Sequence, residues 1–561
     1  MLHAKKWLVA ILAGLVGLTI LAVAQADNSS TPPVSDELVA HLSAISGNVS
    51  TQRADTGTWV AGALNAPLVS GDQVAAGEGA RAEVQIDYAD LIRLGDNADV
   101  HLTSLTSKNI QLQLGAGLAD YIVLQGAQAT SEIDTPNIAI YPQERGVYRI
   151  LVASDSETQV IVRQGEVQIS TPQGSTQLKR GQMITVEGVS APQYKITDAP
   201  ARDAWDQWNQ TRDHALEVAQ NETHANRYYT GVQELNGYGY WTNVPGYGDV
   251  WVPNEGPGWS PYSAGQWTWE PYWGWTWVGY EPWGWAPYHY GRWFVYGPSW
   301  VWWPGPVTPY YRPIWAPAYV SFFGWGGGFG VGVGFGSIGW LPIGPCDAFR
   351  PWWGRGRGGY YSVRYTNINI NNIYINNSRQ RRVLPPLAVA SREHVAYSNL
   401  NDLRTNARVR QALIRVPSNQ FAHGAISARS HVSVAELRNG AVLGGTLPVV
   451  PTRASLGDSR IARPGQAPIR AANHFYGSRG TTVARPNFTQ ERASVQHALS
   501  GAPATVRAAR PRLPAVAHAP AAAGQPQHFE SSSSLRQPQA AAPAVRPGWR
   551  GFNRGPVRSV S

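Results

Sequence analysis

The side chains best suited to chemistry in this 561-residue sequence are a histidine and two glutamates in its tryptophan-rich centre. His289 stands three residues before Arg292, and Glu255 and Glu281 could supply the paired carboxylates of a glycosidase. A catalytic histidine needs an acid or a nucleophile beside it, and the sequence offers His289 no recognisable partner. The two glutamates occupy equivalent positions of a repeat, which favours one turn role used twice.

Motifs of the common enzyme classes are absent from the sequence. It has no His-Glu-x-x-His, no Gly-x-Ser-x-Gly, no phosphate-loop Gly-Lys, and only one cysteine, Cys346. Gly334-x-Gly336-x-x-Gly339 fits a dinucleotide pattern, but neither a helix nor a ribose-binding acid supports it. We therefore predict a non-enzymatic protein with no catalytic residue, no metal site and no cofactor, and keep a hydrolase as the minor alternative.

Aromatic residues are the other candidates. Fourteen of the 24 tryptophans lie between Trp241 and Trp303, many of them two residues apart, and in a strand that spacing puts both rings on one face. The rings either form the core of a β domain with few aliphatic residues, or leave faces exposed to stack on sugars or bound peptides. Under the second interpretation the candidate binding platform consists of Trp267, Trp269, Trp275, Trp277, Trp285, Tyr288 and Trp293.

These aromatic residues belong to a repeat. Residues 255–280 and 281–306 align without gaps at a period of 26, and Gly239, Trp241 and Trp251 preserve an earlier copy. Twenty-six residues hold two short strands and their turns. The sequence therefore predicts a Trp-rich repeat domain over residues 230–306 with one antiparallel hairpin per repeat.

A different pattern precedes the repeats. Residues 82–88, 110–114 and 160–162 alternate apolar and polar side chains, and turn residues such as Gly71-Asp72 separate them. Period two is typical of half-buried strands. We predict a compact β domain over residues 38–195.

The order of short motifs in this domain resembles the FecR-like domain of bacterial periplasmic regulators and envelope proteins. The matching motifs are Ile45-Ser-Gly47-Asn-Val49, Trp59, Leu68-Val-Ser-Gly71-Asp72, Ile92-Arg-Leu94-Gly95, Ile133-Asp134-Thr135-Pro136, Arg163-Gln-Gly165-Glu166-Val167 and Gly181-Gln182. Family members that regulate sigma factors carry a cytoplasmic segment before a transmembrane helix. Only six residues precede the apolar N-terminal stretch here, so we do not carry transmembrane anti-sigma signalling over to this chain.

The repeat region, over about residues 205–306, resembles an uncharacterised Trp-rich domain-of-unknown-function family that commonly follows FecR-like domains. The motifs are Gln233-Glu-Leu235, Gly239-Tyr-Trp241, Tyr247-Gly-Asp-Val-Trp251-Val-Pro253, Trp259-Ser-Pro-Tyr262, Trp273-Gly-Trp-Thr-Trp277 and Pro282-Trp-Gly-Trp-Ala-Pro-Tyr-His289-Tyr-Gly-Arg-Trp293. The biochemistry of that family is unknown, so the resemblance implies no activity.

Two further segments adjoin the repeats. Residues 201–226 predict an amphipathic linking helix, with Trp205, Trp208, Ala215 and Ala219 near one face. Residues 307–378 are first rich in glycine and aromatic residues and then alternate asparagine with isoleucine, which favours further strands or a self-associating edge.

The N-terminus has the pattern of a secretory signal peptide over residues 1–26. Two lysines precede an apolar stretch at residues 7–24, and small residues at Ala24 and Ala26 suit signal peptidase. We expect export to the periplasm or outer envelope. The alternative is an uncleaved inner-membrane anchor through residues 7–24, the only membrane contact we expect.

Charge is unevenly distributed along the chain, whose formal net charge is +9. Residues 379–561 hold 25 arginines, no lysine and six acids, a formal charge of +19, so the rest carries −10. This tail is rich in Ala, Pro and Arg, and we predict it to be disordered. Anionic envelope polymers or lipid headgroups are its expected partners, nucleic acid is not, and a purely solubilising tail is the alternative.

These features together predict a mainly β architecture: a FecR-like domain, a linking helix, a Trp-rich hairpin domain and a disordered tail. We expect an exported, non-enzymatic envelope protein that binds or scaffolds, with peptidoglycan, another glycan or an envelope protein as partner. The alternative is a periplasmic sensory partner of a membrane signalling system.

Overall fold

The computed structural model of the protein describes residues 37–221, 224–271, 273–307, 313–326, 335–352, 363–367, 397–423, 430–437, 439–445, 447–457, 468, 472, 474–477 and 487–500. The predicted signal peptide, most of the asparagine–isoleucine stretch and the end of the tail lie outside these residues.

The first part of the chain is a β domain. Its strands are Ala40–Ser46 (β1), Val49–Gln52 (β2), Trp59–Ala61 (β3), Pro67–Leu68 (β4), Gln73–Ala76 (β5), Arg81–Gln85 (β6), Asp90–Leu94 (β7), Asp99–Leu105 (β8), Asn109–Val123 (β9), Thr130–Asp134 (β10), Ala139–Pro142 (β11), Gly146–Ser154 (β12), Glu157–Gln164 (β13), Glu166–Thr171 (β14), Gly174–Lys179 (β15), Gln182–Glu187 (β16) and Gln193–Asp198 (β17). Strands are confirmed at the three predicted stretches, in β6, β9 and β13, where alternate side chains join one buried cluster. The other face is not exposed as in a half-buried strand, because Glu83, Gln85 and Gln111 are buried as well.

Strand β9 joins two groups of strands. Its first half pairs with β8 and, in parallel, with β10. Its second half pairs with β7 and β12, both antiparallel. Since each half has its own neighbours, one 15-residue strand connects both groups around a shared core.

The Gly-Asp motif between β4 and β5 is a turn with a specific geometry. Gly71 has a φ of 93°, a conformation that favours glycine. The carboxylate of Asp72 accepts hydrogen bonds from the backbone N–H groups of Val69 and Ala54, both at 2.9 Å. The motif therefore holds two loops of the domain together.

An α-helix follows the β domain, as predicted, but over Ala204–Asn221 (α1) rather than residues 201–226. Its buried face differs from the prediction, because Asp206 and Asn209 are buried and Ala215 is exposed. The reason is that arginines of the β domain reach both polar side chains. The helix is thus packed on the domain rather than serving only as a link.

One antiparallel hairpin per repeat is confirmed. The strands are Gly239–Val244 (β18) with Gly248–Pro253 (β19), Gly265–Glu270 (β20) with Gly274–Gly279 (β21), and Arg292–Tyr296 (β22) with Ser299–Trp303 (β23). A 3₁₀ helix at Val232–Leu235 precedes them, and a short helix, Ala286–His289 (α2), separates the second and third. The first and third hairpins form one four-stranded sheet, whereas the second stands as a two-stranded sheet.

A fourth hairpin lies beyond the predicted repeat domain. Val320–Trp325 (β24) pairs with Ser337–Pro342 (β25). It forms the centre of a six-stranded sheet that also contains Val363–Asn367 (β26), Ile414–Pro417 (β27), Ser430–His431 (β28) and Ala441–Gly445 (β29). Strands from the C-terminal third therefore complete the sheet of this hairpin.

The described helices of that C-terminal third are Asn399–Asp402 (α3), Ala407–Gln411 (α4), Ser418–Ala422 (α5), Val434–Leu437 (α6), a 3₁₀ helix at Arg453–Leu456 and Phe488–Ser500 (α7). The prediction of disorder from residue 379 onward is wrong for these segments. Leu413, Val416 and Phe421 are sparse in an arginine-rich sequence, yet they are buried in the same cluster as the tryptophans. Composition averaged over the tail hides such isolated contacts.

Candidate functional site

His289 lies in the core. Its ring stacks on Trp315 at 5.1 Å between centroids and packs on Trp285 at 4.2 Å, and its Nδ1 lies 2.8 Å from the carbonyl oxygen of Ala316. Burial lowers its pKa to about 4. The surroundings are those of a packing residue.

The two glutamates do not form a matched pair. Glu255 is exposed, whereas Glu281 is buried and accepts hydrogen bonds from the Tyr288 hydroxyl at 2.9 Å and the Trp259 indole at 3.3 Å. Burial raises the pKa of Glu281 to about 7. The side chains at the two equivalent positions are therefore used differently, although the Glu281 carbonyl also accepts a 2.9 Å turn hydrogen bond from the Gly284 N–H.

The seven residues of the predicted aromatic platform are all buried, with at most 2% of each exposed: Trp267, Trp269, Trp275, Trp277, Trp285, Tyr288 and Trp293. Of the two interpretations, the first, a core of indoles, therefore describes these rings, and the second, an exposed platform, is wrong. The aromatic rings pack mostly edge to face or tilted, as between Trp267 and Trp277 at 5.3 Å.

The repeated glycines explain how the indoles fit. A Cβ atom added to Gly265 would lie 2.3 Å from the Trp277 ring, and one added to Gly239 would lie 2.5 Å from the Trp251 ring. At Gly291 it would lie 2.5 Å from the indole nitrogen of Trp302. Each repeat therefore needs a residue without a side chain where the cross-strand indole crosses the backbone.

Segments from the C-terminal third cover the second hairpin. The Trp269 indole donates a 2.8 Å hydrogen bond to Glu491, and the Trp275 indole donates a 3.3 Å bond to the Val449 carbonyl. Phe421 packs against Trp275 at 4.8 Å. These partners lie more than 140 residues away in sequence, which is why the local pattern could not decide between buried and exposed rings.

The first hairpin keeps aromatic side chains at the surface. Tyr238 is 42% exposed and Tyr240 is 57% exposed, whereas Gln266 and Arg292, the repeat equivalents of Tyr240, are buried. The two tyrosines are two residues apart, so they lie on one side of the chain at β18. β18 pairs only with β19 among the described strands, so β18 is an edge strand of the four-stranded sheet.

Polar groups lie on the other face of β18, opposite to Tyr240. His224 stacks on the half-buried Trp241 at 5.0 Å, and its Nδ1 lies 2.7 Å from a carboxylate oxygen of Asp249. The Asn243 amide donates to the other oxygen at 3.1 Å. Hydrogen bonds from His224 and Asn243 lower the pKa of Asp249. We name Tyr238 and Tyr240 the first-hairpin surface.

This surface lies outside the predicted platform. The predicted platform is the region where the tryptophans are densest, although residues that pack densely with one another leave little ring area for a ligand. The weaker match of the first repeat to the other two was the available indication that its surroundings differ.

A cavity lies between the β domain and the second hairpin. It has a volume of about 40 Å³, and its lining includes Asp72, Gln266, Thr268 and Leu456. Beside it, one guanidinium nitrogen of Arg53 donates to both carboxylate oxygens of Glu270, at 2.8 and 2.9 Å. The space suits water molecules and is too small for a sugar ring.

A second contact between these parts is a stack of His41 on Trp285, with ring centroids 4.1 Å apart and an interplanar angle of 8°. His41 is fully buried, and neither ring nitrogen has a hydrogen-bond partner among the described residues. The stack is therefore held by ring packing alone.

The described residues contain no group of three or more His, Cys, Asp or Glu side chains placed to bind a metal ion. Within the same residues, no helix has both the length and the apolar composition needed to cross a membrane.

The fold defines a mainly β protein in which a β domain packs against a hairpin domain with a tryptophan core. Residues 232–347 match the model of a "Family of unknown function (DUF6600)". The match extends past the predicted end of the repeats at residue 306 and includes the fourth hairpin.

Among solved structures, two crystal structures from Parabacteroides distasonis ATCC 8503 match, each described as a "putative anti-sigma factor". One has a TM-score of 0.22 and 16% identity and covers 25% of this chain and 64% of that chain. The other has a TM-score of 0.21 and 14% identity and covers 28% of this chain and 75% of that chain. Both TM-scores are too low to support a fold or a function, and no curated protein matches.

Proposed function

We propose that this is a non-enzymatic binding and scaffold protein of the bacterial envelope that contacts cell-wall or other glycans through the first-hairpin surface. The observation that carries the proposal is the exposure of Tyr238 and Tyr240 where all seven platform residues are buried. Export rests on the signal-peptide pattern at residues 1–26.

The chemistry of the first-hairpin surface suits a sugar. Tyrosine rings stack on the apolar faces of sugar rings, and their hydroxyl groups donate hydrogen bonds to sugar hydroxyls and accept hydrogen bonds from them. By contrast, His289 and Glu281 are buried among aromatic side chains, which favours a binding role over catalysis.

Titration of the mature chain, residues 27–561, with soluble peptidoglycan fragments and oligosaccharides tests this proposal through intrinsic tryptophan fluorescence. We expect saturable binding that the double substitution Tyr238→Ala and Tyr240→Ala weakens at least about tenfold. The matched control is Tyr194→Ala in the β domain, because Tyr194 is equally exposed, at 57%. Equal affinities for the double variant and the control would overturn the assignment.

The tail supplies the second contact of the proposal. Residues 508–561 contain seven arginines and one acid, Glu530. We infer that they bind anionic envelope polymers, so a chain ending at Arg507, which keeps 18 of the 25 arginines of the tail, should elute from an anionic polysaccharide column at lower salt than the full chain. The retention of the full chain should fall with added salt. If the retention of both chains did not change with salt, the proposed contact with anionic polymers would be wrong.

A regulatory role is the second candidate, and one observation favours it. Strand β17 pairs only with β16 within the described residues, and it exposes Tyr194 and Ile196 at 57% and 39%. An exposed strand edge is a common protein-docking surface. A photo-crosslinker at position 194 in cells should then capture a membrane signalling protein, and one at position 238 should not.

A further inference from the structure

The second hairpin pairs with no other described strand. Side-chain contacts on both of its faces hold it in place, together with a 3.0 Å hydrogen bond from the Trp277 N–H to the Pro317 carbonyl. Its polar face meets the β domain through Glu270 and Arg53. Its indole face, formed by Trp267, Trp269 and Trp275, meets the C-terminal third. One element on this indole face is the helix α7.

Helix α7 is attached by a narrow stripe. Among residues 487–497, only Phe488, Glu491 and Val495 are buried, and the others are exposed. Their spacing of three and then four residues places them on one side of the helix. Two apolar side chains bury little area relative to the conformational entropy lost when 13 residues become a helix. The attachment is therefore weak compared with the indole core that it covers.

The middle residue of the stripe is an acid, which packing alone does not explain. Glu491 is 4% exposed, and its carboxylate accepts the 2.8 Å hydrogen bond from the Trp269 indole. An apolar residue at position 491 could be buried without the desolvation cost of a carboxylate. Because this carboxylate accepts a hydrogen bond from the Trp269 indole, the contact favours a helix with an acid at this position.

We propose that the indole face of the second hairpin is a groove for an amphipathic helix, and that α7 occupies it as a displaceable ligand of the same chain. The groove selects the pattern aromatic, acid three residues later, aliphatic four residues after that, as in Phe488, Glu491 and Val495. A partner helix with this pattern competes with α7, and its binding releases the C-terminal helix. This proposal does not depend on glycan binding at the first-hairpin surface.

The first test measures opening in the unmodified mature chain by hydrogen exchange. Amides of residues 492–497 should exchange at least about a hundredfold faster than those of β20 and β21, because α7 detaches while the hairpin stays folded. Equal protection of the helix and the hairpin would overturn the proposal, since the two would then open only together.

The second test displaces the helix by substitution. Val495→Asp in the full chain puts a charge into the stripe, and Ser494→Asp is the matched control because Ser494 is exposed. We expect Val495→Asp alone to increase the acrylamide quenching of tryptophan emission, with the β-sheet circular dichroism unchanged. Loss of that sheet spectrum would show that α7 is an integral part of the core and would contradict displacement.

The third test restores the contact in trans. A fluorescent peptide of residues 486–500 should bind the Val495→Asp protein and reverse the added quenching. The same peptide with Glu491→Gln should bind about tenfold more weakly, the ratio expected when a hydrogen bond to a charged group is lost. Absence of peptide binding, or equal binding of both peptides, would refute the groove.

Discussion

At the scale of the residue, the glycines opposite the indoles are the positions where sequence and packing are most tightly linked. The Cβ of an alanine at position 265 would lie 2.3 Å from a carbon of the Trp277 ring and 2.5 Å from the Val278 carbonyl oxygen. Neither neighbour can move without shifting the strand or the core, because protein interiors are close-packed.

Gly265→Ala is therefore expected to lower the free energy of unfolding by about 3 kcal/mol, the upper part of the usual range for overpacking. Urea unfolding followed by tryptophan fluorescence measures the change. Gly256→Ala is the control, because a Cβ at Gly256 has no atom within 4 Å. If both variants lowered the free energy of unfolding by similar amounts, contact with the Trp277 indole would not be the reason for the glycine at position 265.

A second residue-scale prediction concerns His41. Burial, followed by the nearby His289, lowers its pKa from 6.5 to about 3, and Glu83 and Arg212 are the other charged groups that act on it. Between those two values the unfolded chain binds a proton and the folded chain does not. The stability of the folded chain is therefore complete above pH 6.5 and falls as the pH decreases toward 3.

His41→Phe preserves a ring against Trp285 and removes the titrating group, and no described hydrogen bond is lost. From pH 6.5 downward, the variant should gain stability relative to wild type by up to about 1.4 kcal/mol per pH unit. Urea unfolding at pH 7, 6, 5 and 4 measures this difference. If the difference in unfolding free energy between the variant and wild type stayed constant with pH, His41 would not titrate as its burial implies.

At the scale of the element, the helix α1 is fastened by a buried ion-pair network. One carboxylate oxygen of Glu83 accepts hydrogen bonds from Arg93 in β7 and Arg212 in α1, both at 2.7 Å, and the other accepts bonds from Arg212 and Ser43, both at 2.6 Å. Burial alone would raise the pKa of Glu83, but the charges of Arg93 and Arg212 outweigh it and hold that pKa well below its usual range.

Glu83→Gln leaves two guanidinium groups without their shared carboxylate, and we expect it to cost about 3–5 kcal/mol of stability. Glu217→Gln is the matched control on the same helix, because Glu217 pairs with Arg145 at the surface, where 44% of each side chain is exposed. Its effect should be below about 1 kcal/mol. Thermal unfolding of both variants measures the two changes in stability. A small decrease in stability for Glu83→Gln would show that the ion-pair network does not hold α1 on the β domain.

At the scale of the whole molecule, the described segments between residues 397 and 500 are part of the folded body that contains the hairpins. A fragment of residues 27–378 contains every tryptophan of the hairpins but lacks Phe421, Val449 and Glu491, which cover the second hairpin. It also lacks β27 and β29, which flank the fourth hairpin.

We therefore expect the 27–378 fragment to aggregate or to show red-shifted tryptophan emission, since it exposes a large apolar surface. A chain of residues 27–507, which ends with the compact unit, should keep the emission of the full chain. Fluorescence spectra and size-exclusion chromatography compare the two. A monomeric 27–378 fragment with unchanged emission would contradict the covering role of the C-terminal third.

What the sequence by itself determined is local. Period-two alternation predicted β6, β9 and β13, and the 26-residue period predicted three hairpins, because a strand and its turn are specified by side chains a few residues apart. The class of fold, mainly β, follows from those elements.

Only the tertiary structure decided which rings are exposed. Trp267 and Trp241 occupy equivalent repeat positions, yet the first is buried and the second is half-buried. The difference arises because Phe421, far along the chain, packs on Trp267 in the second hairpin. In the first hairpin, β18 is instead the edge strand of its sheet. A strand pattern places two rings on the same face, but the exposure of that face depends on distant residues, whose contacts no local pattern records.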